Sequence, residues 1–414
     1  MGKSDATREE RFLKGLDMNN RTNNMHTLVF HIGTPKTGTT SIQTFLYNNS
    51  EELKRYGWCY PPFNHIWYRM ERGWGYPNLK RNGIVFRRSF MEDWDRRKKM
   101  KLWGFVRSYL RRYNVIISEE WMWGSLGIDL IKSLGVIKEI CPNIKIIVYL
   151  RRQDLFVDAW WNQKVKSGDL QVENIGIFKN EKYVVESLDY YSIIHQIEGL
   201  IGKENLIVRV FEKESFIQGD LIKDFLASLE IPVDWNRVKD NEKRENERLD
   251  EDLLAVKLEF NKTYAKYISE ISRRSVTVQN NIVGAKIPDR KRFGYLSPEE
   301  REEIIKKYEE GNRIIAKDYL GREDGVLFRN RDVQIPVYNA NLSEREKRII
   351  HLFAKIAAEQ DNKLEKLRQQ KPWDYFKKAL RGIAGPIARH ILIMIRKICY
   401  PFTAIMLPYF RDKT

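Results

Sequence analysis

Short apolar runs alternate along this chain with longer stretches in which apolar residues return every three or four positions. The runs are HTLVFHIG (His26–Gly33), YNVIIS (Tyr113–Ser118), KIIVYL (Lys145–Leu150) and NLIVRVF (Asn205–Phe211). Each is short, rich in β-branched residues and bounded by polar positions, the pattern of a strand buried on both faces. Ile42, Phe45, Leu46 and Leu53 follow the first run at helical spacing. Leu130, Ile131, Leu134 and Ile137 do the same inside Asp129–Ile140, and Gln218–Leu229 follows the last run as a helix-like stretch. Strand and helix in alternation predict an α/β fold with three layers around a central parallel sheet. In such sheets ligands bind beyond the carboxyl ends of the strands.

The remaining segments divide the chain. Residues 1–25 are polar and non-periodic and predict a flexible tail. Residues 26–330 hold the main domain. Within it, Gly57–Lys101 is rich in Trp, Tyr, Arg and Gly without a steady period, which predicts long loops over the sheet edge. Ser297-Pro298-Glu299-Glu300 reads as a helix start. Residues 331–371 read as a connector and a charged helix from Ser343 to about Gln370, a helical C-terminal extension. In residues 372–414 aromatic, basic and short apolar runs alternate, interrupted by Pro386, Pro401 and Pro408. That composition predicts a basic amphipathic segment lying in a membrane interface, drawn to anionic headgroups.

Composition narrows the partners. The chain of 414 residues is 42% hydrophobic and 31% charged, which suits a globular core, and its formal net charge is +17. Such an excess favours anionic partners. Its three cysteines, Cys59, Cys141 and Cys399, are far apart and lack metal-ligand spacing, so neither a disulfide framework nor a zinc site is expected. The N-terminal stretch has no apolar signal-peptide core, and no run reaches the roughly 20 apolar residues that span a bilayer. The expectation is a cytoplasmic catalytic domain, peripheral at the cytosolic face of a membrane.

The chemistry points to the turn after the first run, Thr34-Pro35-Lys36-Thr37-Gly38-Thr39-Thr40-Ser41. A glycine-bearing loop between a buried strand and a helix start aims backbone N–H groups at one place, and the helix dipole favours an anion there. Lys36 adds a full positive charge and the hydroxyls add donors. The turn lacks the GxxxxGK[ST] spacing of the Mg²⁺-dependent triphosphate loop. TPKTGTTSIQ resembles the 5′-phosphosulfate loop of sulfotransferases that use 3′-phosphoadenosine 5′-phosphosulfate (PAPS), particularly bacterial carbohydrate-type members. The resemblance implies a P-loop-like fold, PAPS as donor, its desulfated product PAP, and no metal. It also implies that Lys36 meets the leaving phosphate while Thr37 to Ser41 bind it.

A second motif, VYLRRQD (Val148–Asp154), runs on to Trp160-Trp161-Asn162-Gln163. It resembles the family's 3′-phosphate element, in which an arginine ends a strand and a serine follows eight residues later. Arg151 takes the arginine place, Arg152 is a further candidate contact, and the serine place falls on Ala159. Pieces between Phe293 and Phe328, LSPEEREEIIKKYEEGNRIIAKDYLG and DGVLF, resemble the closing region of bacterial members. The likeness covers about residues 27–328.

Transfer to a hydroxyl needs a base to take its proton. His65, in GWCYPPFNHIWYR, is the first candidate, since its side-chain type titrates near neutral pH and the pattern resembles bacterial members. Glu119 and Glu120, just past the second strand run, are the alternatives; Ser118 there is a further candidate contact to cofactor or acceptor. Trp67, Tyr68, Trp74 and Tyr76 suit sugar stacking, and Arg69, Arg72, Arg87 and Arg88 suit acidic groups on an acceptor. His31 reads as a strand residue with a structural hydrogen bond. The expected acceptor is a glycan or lipid-linked saccharide, anionic or neutral, with no nucleic-acid partner. Two other readings stand beside this one: a P-loop kinase or other ATP-dependent phosphotransferase, and a non-enzymatic basic protein that binds membrane or nucleic acid.

Overall fold

The computed structural model describes residues 26–65, 80–91, 94–123, 134, 137–138, 141–169, 174–239, 251–269, 294–332, 334–335, 337 and 342–369. The expected tail at 1–25, the segment 372–414, and Trp67, Tyr68, Arg69, Arg72, Trp74 and Tyr76 lie outside the described residues, as does most of Asp129–Ile140.

Parallel strands β1 (Leu28–His31), β2 (Trp58–Cys59), β3 (Asn114–Ser118), β4 (Ile144–Leu150) and β5 (Leu206–Val210) form one sheet in the order β2-β3-β1-β4-β5. Leu28 of β1 stands opposite Val115 of β3 on one side and Ile144 of β4 on the other. From β1 the chain passes to the edge strand β2, returns to β3 beside β1, and then crosses to β4 and β5 on the other side, so the crevice at the strand-order reversal opens at the carboxyl end of β1. The expected α/β architecture is therefore present.

Alternate side chains of the strands feed two cores, because successive residues of a strand point to opposite faces. On one face Phe30, Ile117, Ile146 and Val148 pack against α4 (Arg96–Leu110), α6 (Tyr190–Ile201) and α10 (Glu309–Leu320). On the other, Val29, Ile116, Ile147 and Tyr149 pack against α1 (Thr39–Asn48) and α7 (Leu221–Ser228). The short helices α2 (Ser50–Arg55) and α3 (Ile84–Met91) lie between β1 and β3 in the chain. α5 (Gln153–Lys166) follows β4 and carries α9 (Pro298–Lys307) through Phe156, Trp160, Leu296 and Ile304. The helices α8 (Glu251–Tyr267) and α11 (Glu344–Gln369) form a further layer with a core of their own.

The Gly57–Lys101 region departs from the expected loops: α3 and the start of α4 fall inside it. Val85, Phe86, Trp94 and, beyond the segment, Leu102, Trp103, Val106 and Leu110 are buried in the main core. The basic residues interleaved among them mask their helical spacing. The two-residue β2 was also unexpected, since Trp58-Cys59 is too short to show a period. α7 starts three residues later than the pattern suggests, because the Asp220 carboxylate accepts from the amides of Ile222 and Lys223 at 2.8 and 2.9 Å and sets the cap there. At Ser297 the expectation holds: a capping box forms with Glu300, and Pro298 takes the first turn.

A buried ionic cluster joins the C-terminal part of the domain to α5. Arg301, fully buried, donates to Asp154 at 2.9 Å and also to Asp158. Asp154 in turn accepts both arms of Arg152 at 2.7 and 2.8 Å. Gly294 leaves the room required, since a β-carbon there would lie 1.8 Å from the Arg301 guanidinium. Gln153 and Asn312 exchange side-chain amide bonds at 2.8 and 3.2 Å beside the cluster. Removing one partner of a buried ion set leaves charge without compensation. Arg301→Met should therefore destabilise the fold by about 3 kcal/mol or more. The urea midpoint should drop clearly, whereas Arg313→Ala, which breaks an exposed pair with Glu310, should leave it in place. An unchanged midpoint in Arg301→Met would contradict this account of the cluster.

Candidate functional site

Between β1 and α1 the chain folds back across the carboxyl edge of the sheet and is tied to both neighbouring strands. Thr34 donates through its amide at 2.9 Å and its hydroxyl at 3.1 Å to the Tyr149 carbonyl of β4. The Tyr149 amide returns a bond to Gly33 O at 2.7 Å, and the Glu119 amide donates to His31 O at 3.0 Å from the β3 side. The Thr37 hydroxyl donates to Thr34 O at 2.6 Å and closes the turn on itself. Three residues take left-handed backbone: Gly33 at φ 104°, Lys36 at φ 67° and Gly38 at φ 74°. Glycine suits the left-handed turn at 38, and a β-carbon there would come within 2.4 Å of Leu221 Cδ2, so that side chain would have to shift.

Gly38 is also the N-cap of α1, and no side chain caps that helix. The first amides of a helix have no acceptor within it and carry its positive dipole end. Lys36 stands directly before them. Its ammonium donates to Gln163 Oε1 of α5 at 3.3 Å, and its carbonyl accepts from Arg151 Nη1 at 2.8 Å. The Arg151 guanidinium lies 5.8 Å from the centre of the Phe211 ring, at the end of β5. Holding a lysine left-handed costs about 1–2 kcal/mol. Strain of this kind concentrates where a loop must present its groups in one direction.

The end of β3 closes the same crevice. Glu119 is fully buried, ion-paired with Arg81, 3.9 Å from Arg87 Nε, and it accepts from the Trp121 amide at 3.3 Å. The next residue, Glu120, has its backbone against Gly33, where a β-carbon would lie 3.1 Å from the Glu120 carbonyl. Burial pushes the Glu120 carboxyl above the usual carboxylate range, with Glu119 adding to the shift while Arg81, Lys36 and Thr39 pull the other way. Behind this edge, His31 Nδ1 and Ser118 Oγ are 2.8 Å apart, and Gln43 donates to that hydroxyl at 3.2 Å. Burial lowers the His31 pKa to about 3, so its ring is neutral in the core.

The structure thus gathers the whole loop Thr34–Ser41, Arg151 and Glu120 at one crevice. Within the loop the roles divide: Thr34 and Thr37 use their hydroxyls on protein carbonyls and shape the turn, Pro35 is buried, and Thr39, Thr40 and Ser41 open α1. Arg152 departs from its expected phosphate contact. Its guanidinium is buried, held by Asp154 and by the carbonyls of Asn330 and Asp332 at 2.6 and 2.7 Å, so its donors serve the fold. Ser118 is likewise a core residue, and Ala159 sits half-buried on α5. His65 is half-buried with its Nδ1 lacking a partner; among the described residues no hydrogen bond joins its ring to Lys36, Glu119 or Glu120. Sequence reading gave no role to Gln163 or Arg81. Gln163 meets Lys36 across 127 positions of the chain, a separation at which no local pattern exists. A cavity of about 460 Å³, lined by Lys54, Ser108, Tyr109, Arg111, Arg112 and Tyr113, lies beside the start of β3, at the opposite edge of the sheet from the loop.

No protein-family model matches the chain. An uncharacterized protein of Archaeoglobus fulgidus is 24% identical over 227 residues, 50% of this chain and 57% of the relative. The chain thus spans little more than half the length of that relative. Among solved structures, a sulfotransferase from Alicyclobacillus acidocaldarius aligns with a TM-score of 0.35 and 16% identity, covering 57% of this chain and 91% of that one. Neither similarity assigns an activity, and function is read from the site itself.

The raised Glu120 carboxyl has a consequence for stability. The folded state binds this proton more tightly than the unfolded chain, whose carboxyl titrates near 4.5. Stability is therefore lost as pH rises from about 4.5 through the higher folded value. Glu120→Gln should melt at a higher temperature than the parent at pH 7, and the gain should shrink toward zero below pH 4.5. A variant that melts at or below the parent at pH 7 would show that burial does not disfavour this charge.

Proposed function

We propose that this chain is a sulfotransferase that moves a sulfuryl group from PAPS onto a hydroxyl of a glycan or lipid-linked saccharide. The observation that carries the reading is the uncapped start of α1 with the Lys36 ammonium held beside it at the carboxyl ends of β1, β3 and β4. Such a place suits a phosphate on which negative charge is growing. Gly38 supports that start from behind: its left-handed backbone sets the turn, and a β-carbon there would meet the Leu221 and Phe211 side chains.

PAPS supplies the activated sulfuryl group and leaves as PAP. In the transfer the acceptor oxygen bonds to sulfur while the bond from sulfur to the 5′-phosphate oxygen breaks. Lys36 and the first amides of α1, with the hydroxyls of Thr39, Thr40 and Ser41 around them, bind and stabilise the departing phosphate. Gln163 orients the Lys36 ammonium. Arg151, at the end of β4, braces the loop through the Lys36 carbonyl and is the candidate for the 3′-phosphate. Glu120 takes the acceptor proton: it lies close enough to Lys36 to feel its charge, and burial raises its affinity for a proton. Glu119, engaged by Arg81, positions this edge. His65 is the second candidate base. No metal enters the scheme.

The same strand–loop–helix arrangement cradles phosphates in ATP-dependent phosphotransferases, which makes a kinase the second reading. In this reading the chain works in the cytoplasm, peripheral at the cytosolic face of an anionic membrane, with 372–414 as the expected anchor; nucleic acid has no part in the proposal.

Calorimetry should show PAP binding to the full chain. Binding of ATP with Mg²⁺ but not of PAP would overturn the proposal in favour of the kinase. With radiolabelled PAPS, Lys36→Ala should lower turnover about a hundredfold or more, the usual consequence of deleting a donor that meets developing charge. A separate comparison assigns the base. Glu120→Gln should reduce kcat by about 10²–10⁴-fold with PAP affinity retained, while His65→Ala stays within a few-fold of the parent. The reverse pattern would transfer the role to His65.

A further inference from the structure

α11 has two apolar faces, and the fold accounts for one. Ile350, Ala354 and Ala358 pack on Phe260, Tyr264 and Ile268 of the α8 layer. That side is clamped by His351 to Glu259 and by Tyr264 OH to Asp361, both at 2.5 Å, and by Asn362 donating to Tyr267 O at 2.9 Å. Away from this contact, Ile349, Leu352, Phe353 and Ile356 are 48%, 59%, 62% and 45% exposed. Their spacing of three and four residues aligns them in one stripe two turns long. Four large apolar side chains side by side in water are unusual on a monomer surface and mark a contact site.

What borders the stripe selects its occupant. Arg345 and Lys363 continue its line at the two ends, Arg348 is exposed at its edge, and Lys355, also exposed, lies at the same border with its ammonium 5.4 Å from the centre of the Tyr267 ring of α8. The acidic residues of the first turn are engaged locally: Glu344 with Lys347 at 2.9 Å, and Glu346 with Ser343 at 2.7 Å. Glu359 is the remaining exposed acid near the border. A second copy of the chain fits poorly, because the seam gives way to Gln360 and Lys363 after two turns and both copies would bring the same cations together. An anionic bilayer surface takes both features, accepting the apolar stripe among its acyl chains and the cations among its headgroups. The net charge of +17 acts in the same direction.

We propose that α11 docks on anionic membrane through the Ile349–Leu352–Phe353–Ile356 stripe, flanked by Arg345, Arg348 and Lys355. This inference is independent of the sulfuryl-transfer reading. It also differs from the expectation for 372–414, because it concerns a packed helix of the domain. Through α8, whose Asn261 donates to Val165 O of α5 at 2.9 Å, the docking helix is tied to the helix that holds Lys36. Docking would therefore hold the site in a fixed relation to the lipid surface.

The test needs a local readout, since residues 372–414 are expected to bind vesicles themselves. Gln360→Cys in the full chain with Cys399→Ser carries an environment-sensitive dye at the end of the stripe; Cys59 and Cys141 are buried. Vesicles of phosphatidylcholine with phosphatidylserine should shift the dye emission to the blue. Vesicles of phosphatidylcholine alone should not, and added salt should reverse the shift. Adding Leu352→Asp and Phe353→Asp should abolish the shift and lower the partition coefficient about tenfold or more, with the melting temperature unchanged. Cosedimentation with anionic vesicles without a dye shift would overturn the proposal. So would a shift that appears without lipid as protein concentration rises, which would identify a second copy as the occupant.

Discussion

One electrostatic arrangement organises this molecule: an ammonium group and the positive end of a helix without a side-chain cap lie together at the edge of a sheet whose strands all point toward them. Both contributions are positive, and neither is neutralised by a side-chain cap. Lys36 alone would be an ordinary basic residue, and α1 alone an ordinary helix. Their convergence requires a left-handed lysine, a left-handed glycine, and hydrogen bonds from β3 and β4 that prevent the turn from relaxing. The parallel sheet supplies the rigid base, with both faces covered.

The surroundings keep that arrangement in register. Gln163 aims the ammonium from α5, and α5 is fixed to the C-terminal part of the domain through Arg301, Asp154 and Asp158. Arg152 shows how closely the two tasks lie: adjacent to Arg151 at the end of β4, it serves the fold while Arg151 faces the loop. The β3 edge has a similar division. Glu119 is engaged by Arg81 and a backbone amide, and Glu120 is left beside the cation with its proton affinity raised by burial.

Much of this was legible in the sequence, for reasons that lie in local patterning. Four strand runs, the turn at 34–41 and the helix start at Ser297 all depend on residues near one another in the chain, and the apolar run around His31 marked it as a strand residue although its partner Ser118 lies far along the sequence. Long-range partners left no such trace: Lys36 with Gln163, Glu119 with Arg81, and Arg152 with the backbone at 330–332. An arginine pair after a strand looks alike whether it holds phosphate or carboxylate. The helices inside 57–101 were hidden for another reason, since basic side chains interrupt a buried apolar spacing that only the packed core makes plain.

The most direct measurement is a crystal structure of the full chain with PAP. The account predicts the 5′-phosphate against the amides of Thr39 and Thr40, with Lys36 Nζ turned from Gln163 to a phosphate oxygen. A phosphate bound elsewhere, with Lys36 still on Gln163 and the turn closed against the nucleotide, would contradict it.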